Sequence, residues 1–271
     1  MGVALGALRA THPLPAAAVT ALVGLVTAAR GADPATLGWV IASAAAGQAS
    51  VGWSNDYLDR EHDLGGGRRE KPLVSGEVRP RTVLVLAMVA LPLSLVLSVP
   101  LGLREAGTMF FAVASAWAYN LGLKATALSW LPYAVSFGLA PAYIWLATDG
   151  IAPAWLVAGG ALLGVAAHLL NVIPDLEGDR AAGVRGLPHR LGLRGSLLLA
   201  CLILAAALVL ILGAAGAGAW SVPAAFLAAV LIGAVAWSGL TGRTGMSFRL
   251  AIGAAGAIVL VLIASRFGLG G

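Results

Sequence analysis

Cysteine is almost absent. Cys201 is the single one in 271 residues and stands inside an apolar run, so neither a disulfide framework nor a thiolate metal site can be built. Charge is scarce too: Asp, Glu, Lys and Arg together make up 11% of the chain, too few to clothe a water-soluble domain. The four histidines form no pair at metal-ligand spacing, which speaks against zinc and copper. What fills the chain instead is apolar: 59% of residues are hydrophobic and the mean hydropathy is +0.91. The bilayer is therefore the expected solvent.

A spanning helix needs about 20 mostly apolar residues. Nine such stretches are expected, near 14–31, 36–55, 82–103, 105–121, 127–147, 152–173, 194–215, 219–239 and 247–266. The first reads as a retained span, because the residues before it carry one Arg and no small-residue cleavage pattern follows. With nine spans, the N-terminus and every second break share one side, and that side holds fourteen of the seventeen Lys and Arg. Arg30, Arg104 and Arg266 fall opposite. By the positive-inside rule the crowded side is cytoplasmic. The net charge of +5 then reflects topology and an anionic substrate, and gives no reason to expect nucleic acid as a partner.

Carboxylates have little to do with orientation, yet nine of the twelve cluster in two of these cytoplasmic breaks. After the second span comes Asn55-Asp56-Tyr57-Leu58-Asp59-Arg60-Glu61-His62-Asp63; after the sixth comes Asn171-Val172-Ile173-Pro174-Asp175-Leu176-Glu177-Gly178-Asp179-Arg180. At 3.6 residues per turn, Asn55, Asp59 and Asp63 share one helical face with Asp56 on its flank, and Asn171, Asp175 and Asp179 are expected to stack likewise, Glu177 pointing elsewhere. The motifs coincide on a shift of 116 residues, which suggests a parallel duplication: four-helix halves over 14–124 and 127–239, and a ninth helix at 247–266. Converging carboxylates in a partly dehydrated site repel one another unless neutralised. All-oxygen ligands favour Mg²⁺ or Mn²⁺, and two facing clusters predict two Mg²⁺ ions bridged by a diphosphate. Cations able to cover that anion follow: Arg68 and Lys71 beyond the hinge Gly65-Gly66-Gly67, Lys124 after the fourth span, and Arg180 beside the second motif.

At these residues the chain resembles the UbiA superfamily of intramembrane prenyltransferases. Its N-D-x-x-D-x-x-x-D pattern is met by Asn55, Asp56, Asp59 and Asp63, and its second D-x-x-x-D by Asp175 and Asp179. Lys71-Pro72-Leu73-Val74-Ser75-Gly76 resembles R-P-x-x-S-G with Lys for Arg, which keeps the charge and loses the bidentate fork. Tyr119 to Lys124 resembles Y-x-x-x-x-K, and Asp175 to Pro188 resembles the segment of the second motif. The resemblance implies an all-α membrane protein of nine helices around a central cavity, with a cytoplasmic cap and a lateral opening for the isoprenoid tail. It implies Mg²⁺-assisted departure of diphosphate and attack on the prenyl cation by an acceptor, often an aromatic ring. Asp59, Asp175 and Lys124 would then be catalytic, and an apolar wall would shield the cation.

Candidates for that wall and the substrate pocket are Tyr57, Tyr119, Trp117, Tyr133, Asn171 and His168, with Trp53 and Trp145. His168 lies at minus seven from Asp175, on the motif's face. It reads chiefly as a packed, hydrogen-bonded intramembrane histidine, and second as a group that orients substrate or takes a proton. His62 and His189 read as surface residues. Two other functions compete. A terpene cyclase of the same superfamily would let the substrate's own double bonds capture the cation. A transporter would place its polar groups near the midplane rather than at one surface.

Overall fold

In the computed structural model, residues 2–181, 183–216, 218 and 220–266 are described, without the side chains of Ala181 and Arg266. Eleven α-helices occur among these residues, and no strand: α1 (Val3–Arg9), α2 (Pro13–Ala29), α3 (Pro34–Gly65), α4 (Pro80–Ser98), α5 (Leu103–Leu121), α6 (Leu131–Ala147), α7 (Ala154–Val172), α8 (Leu176–Ala181), α9 (Leu187–Ala215), α10 (Ser221–Leu240) and α11 (Thr244–Arg266). Proline opens several of them, at Pro13, Pro34 and Pro80, where its missing N–H is no loss. Asp33 caps α3 by accepting from the Ala35 and Thr36 amides at 2.9 and 3.2 Å.

Several boundaries differ from expectation, among them the end of α3, at Gly65 rather than 55. The chain before α2 forms a short helix, α1, bent 66° from it, which the apolar pattern did not reveal. And α9 begins at Leu187 but is kinked at Gly192 (φ 72°, ψ 179°), so its spanning part starts near the expected residue 194. The expected onset at Ala219 and the side chain of Arg266 lie outside the described residues.

Five helices are long and apolar enough to cross a bilayer by length and composition: Pro80–Leu101, Ala154–Arg180, Leu187–Ala215, Ser221–Leu240 and Thr244–Ser265. A sixth results if α1 and α2 are taken as one bent span. The chain is therefore a multi-pass membrane protein, whose outer surface carries exposed Leu198, Leu202, Val209, Phe226 and Trp237.

Consecutive long helices pack on one another from α2 round to α11, and α11 returns to α2 and also touches α7. The interior holds Leu169, Leu170, Leu197, Leu204, Ile258 and Val261 together with buried serines such as Ser43, Ser50 and Ser98. Small residues set the helix spacing, since apolar contact with a neighbour gains little over contact with lipid. Gly160 and Gly164 show this for α6 against α7: a Cβ on either would lie within 3 Å of the backbone of Phe137 or Tyr133. That close approach delivers Tyr133 of α6 to the site end of α7.

Candidate active site

The first acidic motif lies on an uninterrupted helix. α3 runs two to three turns past residue 55, so Asn55, Asp59 and Asp63 recur along one face as expected. The second does not. α7 ends at Val172, residues Ile173–Asp175 form a 3-10 turn, and α8 takes up the chain from Leu176. Pro174 explains the break: it lacks an N–H, and its ring collides with the carbonyl four residues earlier. The second motif thus carries a 3-10 turn that the first lacks, within a helical run that continues from Ala154 to Arg180.

The motifs nevertheless meet. Arg68, in the loop between α3 and α4, reaches Asp63 Oδ1 of the first at 3.3 Å, and Asp175 Oδ1 and Asp179 Oδ1 of the second at 2.8 and 3.9 Å. His62 of α3 also touches Asp179, its Nε2 lying 3.2 Å from Oδ1. Lys71 Nζ donates to Asp56 Oδ1 at 2.6 Å and stands 3.9 Å from Asp63 Oδ2. Lys124, on the turn after α5, is ion-paired with Asp59. Asn55 donates to Asp59 Oδ2 at 3.0 Å and to Asn120 Oδ1 at 3.3 Å; buried Asn120 in turn donates to Ser54 Oγ at 2.8 Å. Glu177 is exposed.

Among the described residues, no three His, Cys, Asp or Glu groups close on one point as an all-protein metal cage would. Each carboxylate is drawn onto a basic side chain instead. The balance is still negative: Asp56, Asp59, Asp63, Asp175 and Asp179 carry five charges against three from Arg68, Lys71 and Lys124, and five minus three leaves two unmatched. Asp63 lies two turns beyond the expected span. Burial pushes its carboxyl above the usual carboxylate range; Lys71 and Arg68 pull it down, while Asp59 and Asp56 push it further up. A group whose folded pKa is raised favours the folded state at pH below its unfolded value and loses that contribution as pH rises. Asp63→Asn, which removes the charge and keeps the shape, is therefore expected not to lower the metal-free melting temperature at neutral pH. Its advantage over wild type should vanish in acid, where Asp63 is protonated anyway. A thermal-melt series against pH checks this, and a neutral-pH melting point well below wild type would contradict it.

Beneath the charged layer an aromatic group converges from three helices. Tyr119 of α5 meets Tyr133 of α6 edge-on at 5.2 Å and His168 of α7 at 5.5 Å; Tyr133 lies 5.0 Å from His168 and 6.2 Å from Phe137, and Asn171 donates to its hydroxyl at 3.4 Å. His168 is fully buried, its Nε2 3.0 Å from Ser129 Oγ. Ser129 Oγ also accepts the Leu187 amide at 2.9 Å, so one hydroxyl ties α7 to the first turn of α9.

Other candidates stand elsewhere. Tyr57 lies under Arg60 (5.2 Å), Trp117 donates to Ser50 Oγ (3.0 Å), Trp53 donates to the Ala7 carbonyl (2.8 Å), and Trp145 lies under Arg30 (4.1 Å) at the far end of α6. Arg180 makes no ion pair with either motif among the described residues; it donates to the His189 carbonyl at 2.5 Å and lines, with Arg185 and Arg190, a basic cavity of about 510 Å³. His189 is not the surface residue expected: its side chain is 4% exposed and its Nε2 lies 3.2 Å from Asp179 Oδ2, because the first turn of α9 folds back beneath the second motif. His62 is likewise drawn to Asp179. His12, which no motif singled out, has its Nε2 2.8 Å from Asp56 Oδ1. These three share one cause, contact with a motif carboxylate across more than local sequence, and no periodicity reports such contacts.

The sequence pattern of the UbiA prenyltransferase family matches residues 17–247. The chain is 31% identical over 176 residues to the bacteriochlorophyll synthase 33 kDa chain of Cereibacter sphaeroides, a stretch covering 59% of this chain and 55% of that protein, so the chain spans little more than half of the relative it matches. Its fold is similar to the apo structure of a UbiA homolog from Aeropyrum pernix K1, with a TM-score of 0.75 at 20% identity, covering 92% of this chain and 97% of the other. It is also similar to a UbiA homolog from Archaeoglobus fulgidus bound to GPP and Mg²⁺, with a TM-score of 0.66 at 18% identity over 94% and 99% of the two chains. An α-helical bundle with both acidic helix ends at one loop, matched to the family pattern over most of its length, belongs to the UbiA prenyltransferase family.

Proposed function

We propose that this protein catalyses Mg²⁺-dependent transfer of a prenyl group from an isoprenoid diphosphate to an aromatic or other lipophilic acceptor within the membrane. The observation that carries the reading is Arg68, one guanidinium in contact with carboxylates of both motifs, which puts both acidic sets within reach of one small anion. Magnesium suits the donor set, all oxygen and short of positive charge, and needs no protein cage, since Mg²⁺ keeps several waters and takes one or two carboxylates and phosphate oxygens. The A. fulgidus relative carries Mg²⁺ and GPP together. Two ions are our reading, one for each motif: Asn55, Asp56, Asp59 and Asp63 on one side, Asp175 and Asp179 on the other.

When bound, Mg²⁺ neutralises the departing diphosphate. The chain's own residues do the rest. Lys71, Lys124 and Arg68 exchange their carboxylates for phosphate oxygens, Arg180 guards the rim, and Tyr119, Tyr133 and His168 present ring faces to the prenyl cation and keep water from it. We assign Asp59 and Asp175, with Lys124, to the catalytic step, and Trp117 and Tyr57 to the outer wall. We read the long helices as nine spans in two four-helix halves, 14–124 and 127–239, with the ninth at 247–266, the motifs and the 66–79 cap facing the cytoplasm. The cavity of about 310 Å³ that reaches from Asp56, Lys71 and Asn171 to Leu14 and Phe248 suits a side entrance for a greasy tail.

The test is product identity. Purified protein given geranyl diphosphate and Mg²⁺ is expected to form prenylated product only when an aromatic acceptor is added. A cyclic hydrocarbon or alcohol formed without acceptor would favour the cyclase reading instead.

A further inference from the structure

We propose that His12 is a positioning residue for Lys71: it holds the Asp56 carboxylate, Asp56 holds the Lys71 ammonium, and the N-terminal segment thereby straps the 66–79 loop over the acidic site. Its consequence for ligand binding rests on the diphosphate reading above; the strap itself does not.

Three observations meet at His12. Its backbone is left-handed (φ 55°, ψ 66°), a conformation a non-glycine residue keeps only where its surroundings impose it. That twist turns the chain between α1 and α2. Second, Asp56 is 2% exposed and its Oδ1 takes both His12 Nε2 at 2.8 Å and Lys71 Nζ at 2.6 Å. A carboxylate buried so deeply needs its donors, and His12 fixes the orientation in which Asp56 meets Lys71. Third, His12, Asp56 and Lys71 line the same cavity, so a shorter side chain at position 12 would open Asp56 to water.

The rest of the segment is built to keep His12 there. A Cβ at Gly52 would lie within 3 Å of the Thr11 backbone, so only glycine lets α3 pass this close. Trp53 Nε1 donates to the Ala7 carbonyl at 2.8 Å. Arg9 reaches into the loop itself, pairing with Glu77 Oε1 at 2.5 Å and donating to the Glu70 carbonyl at 2.7 Å. The loop is thus held at Glu70 and Glu77 by Arg9, and at Lys71 through Asp56 by His12.

The experiment uses the full chain in detergent, with limited trypsin cleavage after Arg68 and Arg69 as one readout and calorimetric binding of inorganic pyrophosphate with Mg²⁺ as the other. His12→Ala is expected to speed loop cleavage and to weaken pyrophosphate binding, each by about tenfold, as for a lost hydrogen bond to a charged group. His12→Gln, whose side-chain N–H can reach Asp56, should recover both to within about twofold. In binding, adding His12→Ala to Lys71→Ala should weaken nothing further, because both act through one contact. Unchanged cleavage in His12→Ala, additive losses in the double variant, or a Gln variant as poor as Ala would each overturn the proposal. Should His12→Ala unfold, His12→Asn, too short to reach Asp56, takes its place and must show the same losses. If wild type binds no pyrophosphate, the diphosphate reading fails, while the cleavage comparison still decides the strap.

Discussion

Asp59→Ala and Asp175→Ala are each expected to lower prenyl transfer at least about a thousandfold, the scale on which removing one preorganised group from a charge-stabilising site acts. Neither should unfold the protein. Asp59 is 23% exposed and Asp175 47% exposed in their side chains, and each is held by one basic partner, Lys124 and Arg68. Ion pairs with such access to water contribute only about 0–1 kcal/mol, and α3 and α7 are anchored by the packing of Val40, Leu169 and Leu170, none of which touches water. The measurement pairs turnover at saturating prenyl diphosphate with a thermal melt. Near-native turnover by either variant would remove the carboxylates from the reaction, and loss of folding would make them structural instead.

Metal removal should act as strongly. Five motif carboxylates face three Lys and Arg side chains, and a diphosphate would add several more negative charges. Repulsion between like charges in a partly dehydrated pocket then outweighs what Arg68, Lys71 and Lys124 offer. Treatment with EDTA is expected to abolish both turnover and pyrophosphate binding, and excess Mg²⁺ to restore both. Transfer that persists after chelation would mean that the cap cations suffice alone, and the charge argument would be wrong.

Much of the fold could be read from the chain because its rules are one-dimensional. Apolar run length against bilayer thickness, proline at helix starts and glycine at breaks placed most long helices within a few residues of where they stand. The two acidic segments could be read for a similar reason: four-residue spacing on α3 needs only helical geometry to align Asn55, Asp59 and Asp63. That logic did not report the 3-10 turn that Pro174 brings into the second motif. It also missed α1, too short to carry a spanning signal and settled by contacts with Trp53 and Glu77 far along the chain.

By itself the sequence determined that this is an α-helical membrane protein, that most of its carboxylates fall in two sets, and that their donors are oxygen, since each follows from residue type and local spacing. Only the tertiary structure decided which cation serves which carboxylate, that His12, His62 and His189 lean on the motifs, and that Arg180 leans on His189 instead. Those pairings are set by helix packing, in which Gly52, Gly160 and Gly164 fix how closely backbones approach. A glycine's effect depends on what lies opposite it, and no reading along the chain supplies that.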